Sequence, residues 1–349
     1  MKLLLISVKS QKSPGGIAVW TERYLARCDA KGAECTLVNT EMIGKRVEQS
    51  MARRSLIDEF VRTRRIFTDL KNALKAEFDA AHLNTSCGTF GLFRDYLIAR
   101  RVKNKGILLV THYHCDIPYW IRNRLSRWCL GKLIKISDEN IVLCANSQKF
   151  LKQQYGADSL HIPNFVEERL VRTDRKPIRP TIARALFVGR VEQKKGAQEL
   201  FVAAKRLPQI RFDLVGSVCN TVFDWEKPEN VHLMGSVSNE QVIRFLDEAD
   251  LFLLPSHTEG CSMALIEAMA RGVPCIATNV GANEDMLSGD CGVIVAKHDV
   301  SAMVAAIRNL EESDLRAQIS QNAVQKVKEN YTDQNVDKLI AVIEERESV

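Results

Sequence analysis

Twelve short, mostly continuous apolar runs with helical stretches between them constrain this chain more than any other feature. In the first half they are Leu3–Val8, Cys35–Asn39, Ala80–Asn84, Ile107–Thr111, Ile141–Ala145 and Leu160–Pro163. In the second half they are Arg184–Val188, Arg211–Val215, Val231–Met234, Leu251–Pro255, Cys275–Thr278 and Val293–Val295. Runs that are apolar at successive positions, rather than alternate ones, suit strands buried on both faces of a parallel sheet. Strand–helix–strand alternation in both halves predicts an α/β chain of two Rossmann-like, doubly wound domains. A length of 349 residues fits that number. The charged segment Phe165–Ile182, with Pro177 and Pro180, reads as a linker between the two series. The expected domains are 1–166 and 167–330. After Asp299 the pattern is helical to the end, and 331–349 is expected as a tail packing back toward the N-terminal domain.

Several classes are excluded early. With 46% hydrophobic and 26% charged residues, the chain has the composition of an ordinary globular protein and can bury sizeable cores. No apolar run approaches the roughly 20 residues that span a bilayer. Met1–Val8 has an apolar stretch of only about six residues and no small-residue cleavage site after it, so a first strand is the better reading than a signal peptide. The ten cysteines are scattered without a C-x-x-C pair, which gives zinc and thioredoxin-type chemistry little support. Free thiols in a reducing cytosol are the expectation. That places the chain in the cytoplasm, with the inner face of the cytoplasmic membrane as an alternative position.

Charge is divided unevenly. Residues 1–170 carry 28 Lys and Arg against 17 Asp and Glu, while 171–349 carry 21 against 26. A basic first half suits an anionic partner such as a phospholipid surface or a phosphate-linked acceptor, and equally suits a solvated helix surface. Two basic helical stretches carry the excess. Arg53–Lys75 places Leu56, Phe60, Ile66, Phe67, Leu70 and Leu74 roughly at helical spacing. Tyr119–Lys135 combines Trp120, Leu125 and Trp128 with Arg122, Arg124, Arg127, Lys132 and Lys135, a pattern that fits either an interfacial helix or a core-packed one. No nucleic-acid-binding module is present, and no nucleic-acid partner is expected.

The richest chemistry lies in Pro255–Glu284, PSHTEGCSMALIEAMARGVPCIATNVGANE. A strand runs into a loop holding Glu259 and Gly260. A helix then starts near Ser262, a good N-cap type, so Gly260 and the first helical N–H groups form an anion-binding corner. Glu267 falls inside that helix. Two carboxylates eight positions apart could serve two ends of one hydroxylated ligand, and Glu267 alone could equally be an exposed helix residue. Phe187–Gly196, FVGRVEQKKG, sets Arg190 and Lys195 after another strand, where a planar and a compact cation could meet a diphosphate. Near the start, Ser13-Pro14-Gly15-Gly16 joins the first strand to a helix. It is neither a Walker loop nor G-x-G-x-x-G, and no dinucleotide fingerprint supports a dehydrogenase.

Together these segments closely resemble the family-4 retaining glycosyltransferases of GT-B fold, in the bacterial envelope and exopolysaccharide group. The resemblance runs through Gly15-Gly16, His114 in THYHCDIP, Asn146-Ser147, IPNFVE at Ile162–Glu167, GR-x4-KG, and Glu259-x7-Glu267 followed by EAMA-x-G-x-P. It implies two Rossmann-like domains facing a central cleft. The second would hold a nucleotide-diphosphate-sugar, a UDP-sugar in first place, and no further cofactor or metal. Arg190 and Lys195 would neutralise the departing diphosphate, and Glu267 would bind the ribose. Glu259 would orient the sugar with help from backbone N–H groups of Gly260, Cys261, Ser262 and Met263. His114 would contact the sugar from the first domain, and Gly15 and Gly16 would let that domain approach the donor phosphate. The implied reaction is hexosyl or N-acetylhexosaminyl transfer, with retention, to a glycan or lipid-linked acceptor in envelope polysaccharide or lipopolysaccharide synthesis. The alternatives are a nucleotide-sugar-binding protein, or an epimerase of the same fold that needs no acceptor. Phe165 departs from the family's usual glycine, and Cys261-Ser262-Met263 from its usual residues near the sugar.

Overall fold

The computed structural model describes residues 1–10, 15–43 and 55–347. Ser13, Pro14, Arg53 and Arg54 therefore lie outside the described residues. The chain divides into two compact units, Met1–Asn164 with Asp333–Val349, and Phe165–Thr332.

The first unit runs β1 (Lys2–Ser7), α1 (Gly16–Ala30), β2 (Glu34–Asn39), α2 (Leu56–Ala73), β3 (Ala80–Thr85) and α3 (Thr89–Lys103). It continues through β4 (Leu108–Tyr113), α4 (Ile117–Trp120), α5 (Arg124–Ile136), β5 (Glu139–Val142), α6 (Ala145–Tyr155) and β6 (Leu160–His161). The second runs β7 (Arg184–Val188), α7 (Ala197–Arg206), β8 (Arg211–Val215), β9 (Val231–Gly235), α8 (Asn239–Glu248) and β10 (Leu251–Leu254). It ends with α9 (Met263–Ala270), β11 (Cys275–Thr278), α10 (Asn283–Leu287), β12 (Val293–Val295), α11 (Val300–Asn309) and α12 (Ser313–Asn330). Helix α13 (Gln334–Glu347) returns to the first unit. There Arg27 of α1 grips Asp337 with two hydrogen bonds of 3.0 and 2.7 Å, which hold the Asp337 carboxyl below its usual range.

All twelve apolar runs form strands. Leu3–Ile6, Leu251–Leu254 and Cys275–Thr278 are buried along their whole length, as strands covered on both faces must be. The run Ile141–Ala145 differs instructively. Its strand covers only Glu139–Val142, because Cys144 already caps α6. Strand β6 is a two-residue, exposed edge. In α2, Ser55 caps the start and Ile66, Leu70 and Leu74 turn inward, while Phe60 is exposed.

Both sheets are wholly parallel. The first has the order β2-β1-β3-β4-β5-β6, the second β12-β11-β10-β7-β8-β9. The second is the doubly wound order, with its switch point between β7 and β10; the first reverses between β1 and β3. Ligands of open α/β sheets bind outside the strand carboxyl ends at such points.

One expectation is corrected. Cys87 and Cys115 are joined as a disulfide, and the other eight cysteines are free. The cause is register. Parallel pairing sets Thr85 opposite Tyr113, so the residues two positions beyond each emerge side by side, with Cα atoms 6.6 Å apart. A spacing of 28 residues carries no local signature of this.

Candidate functional site

In the second unit, the loops leaving β7 and β10 are locked together. Gly196 has φ 77°, and a Cβ there would stand 2.2 Å from the Pro255 carbonyl oxygen. Only glycine permits that approach, and it sets Lys195 beside the β10 loop. Lys195 Nζ donates to Glu259 Oε1 at 2.7 Å, and Ser256 Oγ donates to the same oxygen at 2.7 Å. The Glu259 side chain is only 10% exposed, so this charge-assisted contact is largely shielded from water. From the other side, Gly281 (φ 58°) would place a Cβ 2.3 Å from the Glu259 carbonyl oxygen, while Ala282 N donates to Gly260 O at 2.9 Å. The Glu259–Gly260 step is thus clamped between two glycine turns.

Ser262 caps α9, its Oγ accepting from Leu265 N at 3.4 Å. Cys261 and Met263 turn their side chains inward, with Cys261 Sγ 3.9 Å from Met286 Sδ. What these residues offer a ligand is backbone N–H at a helix start. Glu267 is a partly exposed residue in the second turn of α9. Arg190 is exposed, with its guanidinium 3.5 Å from the buried Glu192 carboxylate. The structure therefore joins Lys195 and Glu259 in one unit, where sequence reasoning gave them separate roles. Ser256, the second donor to Glu259, carries no sequence signal beyond adjacency.

In the first unit, Gly15 caps α1 and Gly16 opens it, both exposed, with no side chain on the cap. Among the described residues, no heavy atom lies within 4 Å of where a Gly15 Cβ would be, so glycine here leaves the backbone N–H groups of the helix start without a side chain of its own over them. His114 follows β4, its N–H bonded to Thr85 O at 2.8 Å. Its ring lies 4.1 Å from His112 and 4.9 Å from Trp20, and His82 stacks on His112 at 5.6 Å. Burial pushes His114 and His82 down to about 3, with the His82 charge a lesser contribution at His114. Both imidazoles are neutral at pH 7, so His114 has hydrogen bonding and no positive charge to offer a ligand. Trp20 and His82 were not singled out from the sequence; their place emerges from helix and strand packing.

Two parallel, doubly wound six-stranded sheets, one with a Lys–Glu pair at its switch point, define the GT-B class. Residues 173–326 match the family Glycosyl transferases group 1. The 2-deoxystreptamine N-acetyl-D-glucosaminyltransferase of Niallia circulans is 34% identical over 263 residues, covering 66% of this chain and 67% of that one. The chain belongs to the glycosyl transferases group 1 family. It spans about half the length (52%) of other curated relatives, the glycogen synthases of Mycobacterium tuberculosis. Among solved structures, sucrose-phosphate synthase of Thermosynechococcus elongatus superposes with a TM-score of 0.82 at 16% identity, over 99% of this chain and 98% of that one. Anabaena HepE in complex with UDP and glucose gives 0.74 at 15% identity, with both chains fully covered. Among the described residues, no helix is long and apolar enough to cross a membrane.

Proposed function

We propose that this chain is a retaining glycosyltransferase that moves a hexosyl or N-acetylhexosaminyl group from a nucleotide-diphosphate-sugar to a glycan or lipid-linked acceptor in cell-envelope polysaccharide synthesis. The observation that carries the reading is the Lys195–Glu259–Ser256 constellation at the switch point of the second sheet. A departing diphosphate develops negative charge; Lys195 and the exposed Arg190 supply fixed positive charge where it forms, without a metal. As the diphosphate draws Lys195, Glu259 is released to accept hydrogen bonds from sugar hydroxyls. Glu267 takes the ribose hydroxyls. Backbone N–H groups of Gly260, Cys261, Ser262 and Met263 meet the sugar or phosphate oxygens at the start of α9. Gly15, Gly16 and His114 form the first-domain contribution, and the working division is 1–166, 167–330 and a 331–349 tail. UDP is the favoured nucleotide, supported by the UDP and glucose in the HepE complex.

The acceptor side is assigned by surface chemistry. Trp120, Leu125 and Trp128 are exposed on and just before α5, beside Arg122, Arg124, Arg127 and Lys132. That combination suits the anionic inner face of a cytoplasmic membrane, where lipid-linked acceptors stand. Sedimentation with anionic liposomes at low salt tests this, with binding expected and its absence removing the membrane reading. The reaction is tested by incubating donor with and without candidate acceptors and following the anomeric protons by NMR. Acceptor-dependent release of nucleoside diphosphate, with an axial donor giving an axial product, is expected. Conversion of the donor alone would establish the epimerase instead.

A further inference from the structure

Away from that constellation, three segments of the second unit converge on one carboxylate. Glu199 is the third residue of α7, His257 lies in the loop after β10, and His298 lies in the turn between β12 and α11. Glu199 Oε1 is 2.7 Å from His257 Nε2 and 3.0 Å from His298 Nδ1. The two imidazole centroids are 4.1 Å apart, and the three ligand atoms all lie within 4.8 Å of one another. The other carboxylate oxygen, Glu199 Oε2, is buried and has no hydrogen-bond partner among the described residues. An orphaned buried oxygen is destabilising, and a bound ion is one of the few things that explains one in a native site. The backbone holds the arrangement. His257 N donates to Lys194 O at 2.9 Å, and His298 sits at φ 67°, a left-handed conformation uncommon outside glycine.

We propose that Glu199, His257 and His298 form a binding site for a Zn²⁺-type divalent transition-metal ion, held by the Glu199 carboxylate, His257 Nε2 and His298 Nδ1. Two imidazoles and one carboxylate are the donor set of zinc and its neighbours; Mg²⁺ and Ca²⁺ ask for oxygen ligands throughout. Tetrahedral zinc with bonds of about 2.0–2.2 Å has donor atoms roughly 3.4 Å apart. The hydrogen-bonded atoms therefore need to part by roughly half an ångström on metal entry. His298, 57% exposed, has the freedom to give that space. Three protein ligands leave a fourth position for water. The ion takes no part in diphosphate departure. It ties α7 and the β12–α11 turn to the β10 loop, one residue from Ser256 and two from Glu259, and so fixes the loop that carries them.

The test uses the full chain after chelator treatment, with Zn²⁺, Co²⁺ and Mg²⁺ added separately. Calorimetry and thermal melts are expected to show one Zn²⁺ per chain and no response to Mg²⁺. Removing a ligand should weaken binding by more than the 10–100-fold that loss of an outer-sphere partner costs, in both His298→Ala and Glu199→Gln. His298 is exposed, so its variant should fold; its metal-free melt, matching wild type, verifies that. The Co²⁺ form should show tetrahedral d–d bands without a thiolate-to-cobalt charge-transfer band, which separates this site from the free cysteines. No Zn²⁺ binding, equal binding by wild type and both variants, or a thiolate band would overturn the proposal.

Discussion

The first unit gathers His82, His112, His114 and Trp20 toward the carboxyl ends of β3 and β4. The second gathers Lys195, Ser256 and Glu259 beyond β7 and β10. The second cluster lies at its sheet's switch point, where open α/β topology places ligands, and the first lies one strand over from its own; one is a neutral aromatic stack and the other a charge pair. The difference lies in what fills the space. In the first unit, Trp20 of α1 packs against the imidazoles, and burial keeps them uncharged. In the second, glycine turns let backbone approach so closely that Lys195 from one loop and Ser256 from the other donate to the same Glu259 oxygen. A neutral surface can orient hydroxyls; a charged one can meet a diphosphate.

The largest effect that would sharpen this contrast concerns the charge pair. Lys195→Ala is expected to lower transfer about 100–1,000-fold, the range for losing one preorganised electrostatic donor. His114→Gln, acting on the neutral side, is expected to cost less in steady-state kcat measurements. Next comes the glycine clamp. Gly196→Ala must place a side chain at φ 77° and 2.2 Å from Pro255 O, which carries about 1–3 kcal/mol of backbone strain before the clash. Gly15→Ala, with open space around it, should cost less than about 1 kcal/mol. Urea denaturation of both variants checks this, and equal losses would break the comparison.

The disulfide comes third. Thiol titration of the unfolded, unreduced chain is expected to count eight free thiols instead of ten. Reduction should destabilise the first unit by about 2–4 kcal/mol. The smallest effect is the pH dependence of the neutral stack. Burial holds His82 at about 3 in the folded protein, against about 6.5 unfolded. The unfolded chain therefore binds the proton that the folded one refuses. The contribution of this group to stability is complete above pH 6.5 and falls as pH drops toward 3, by up to about 1.4 kcal/mol per pH unit. Urea midpoints between pH 7 and 5 should fall at least that steeply, because His114 is held down as well, and His82→Gln should lessen the slope by one group's share.

Strand positions were legible because buried parallel strands must be apolar at every position; Leu3–Ile6 and Cys275–Thr278 leave no other reading. Where an apolar run continued into a helix cap, as at Cys144, composition alone could not mark the boundary. Lys195 and Glu259 were legible as candidates from their loops, but their pairing depends on tertiary approach across Gly196. Glu199, His257 and His298 come from three separate segments, and Cys87 and Cys115 from just beyond two neighbouring strands. Such meetings are set by sheet order and register, which no local spacing encodes.

The most direct test is a thermal-shift screen of UDP, GDP, ADP and CMP with their common sugar conjugates, on wild type, Lys195→Ala and Glu267→Ala, with and without Mg²⁺. At about 100 times its dissociation constant, a ligand adds roughly 2.7 kcal/mol of stability. The account predicts that one nucleotide, UDP foremost, stabilises wild type without Mg²⁺ and fails to stabilise either variant. Equal stabilisation of all three proteins would contradict the placement of the nucleotide-sugar site beside Lys195, Glu259 and Glu267.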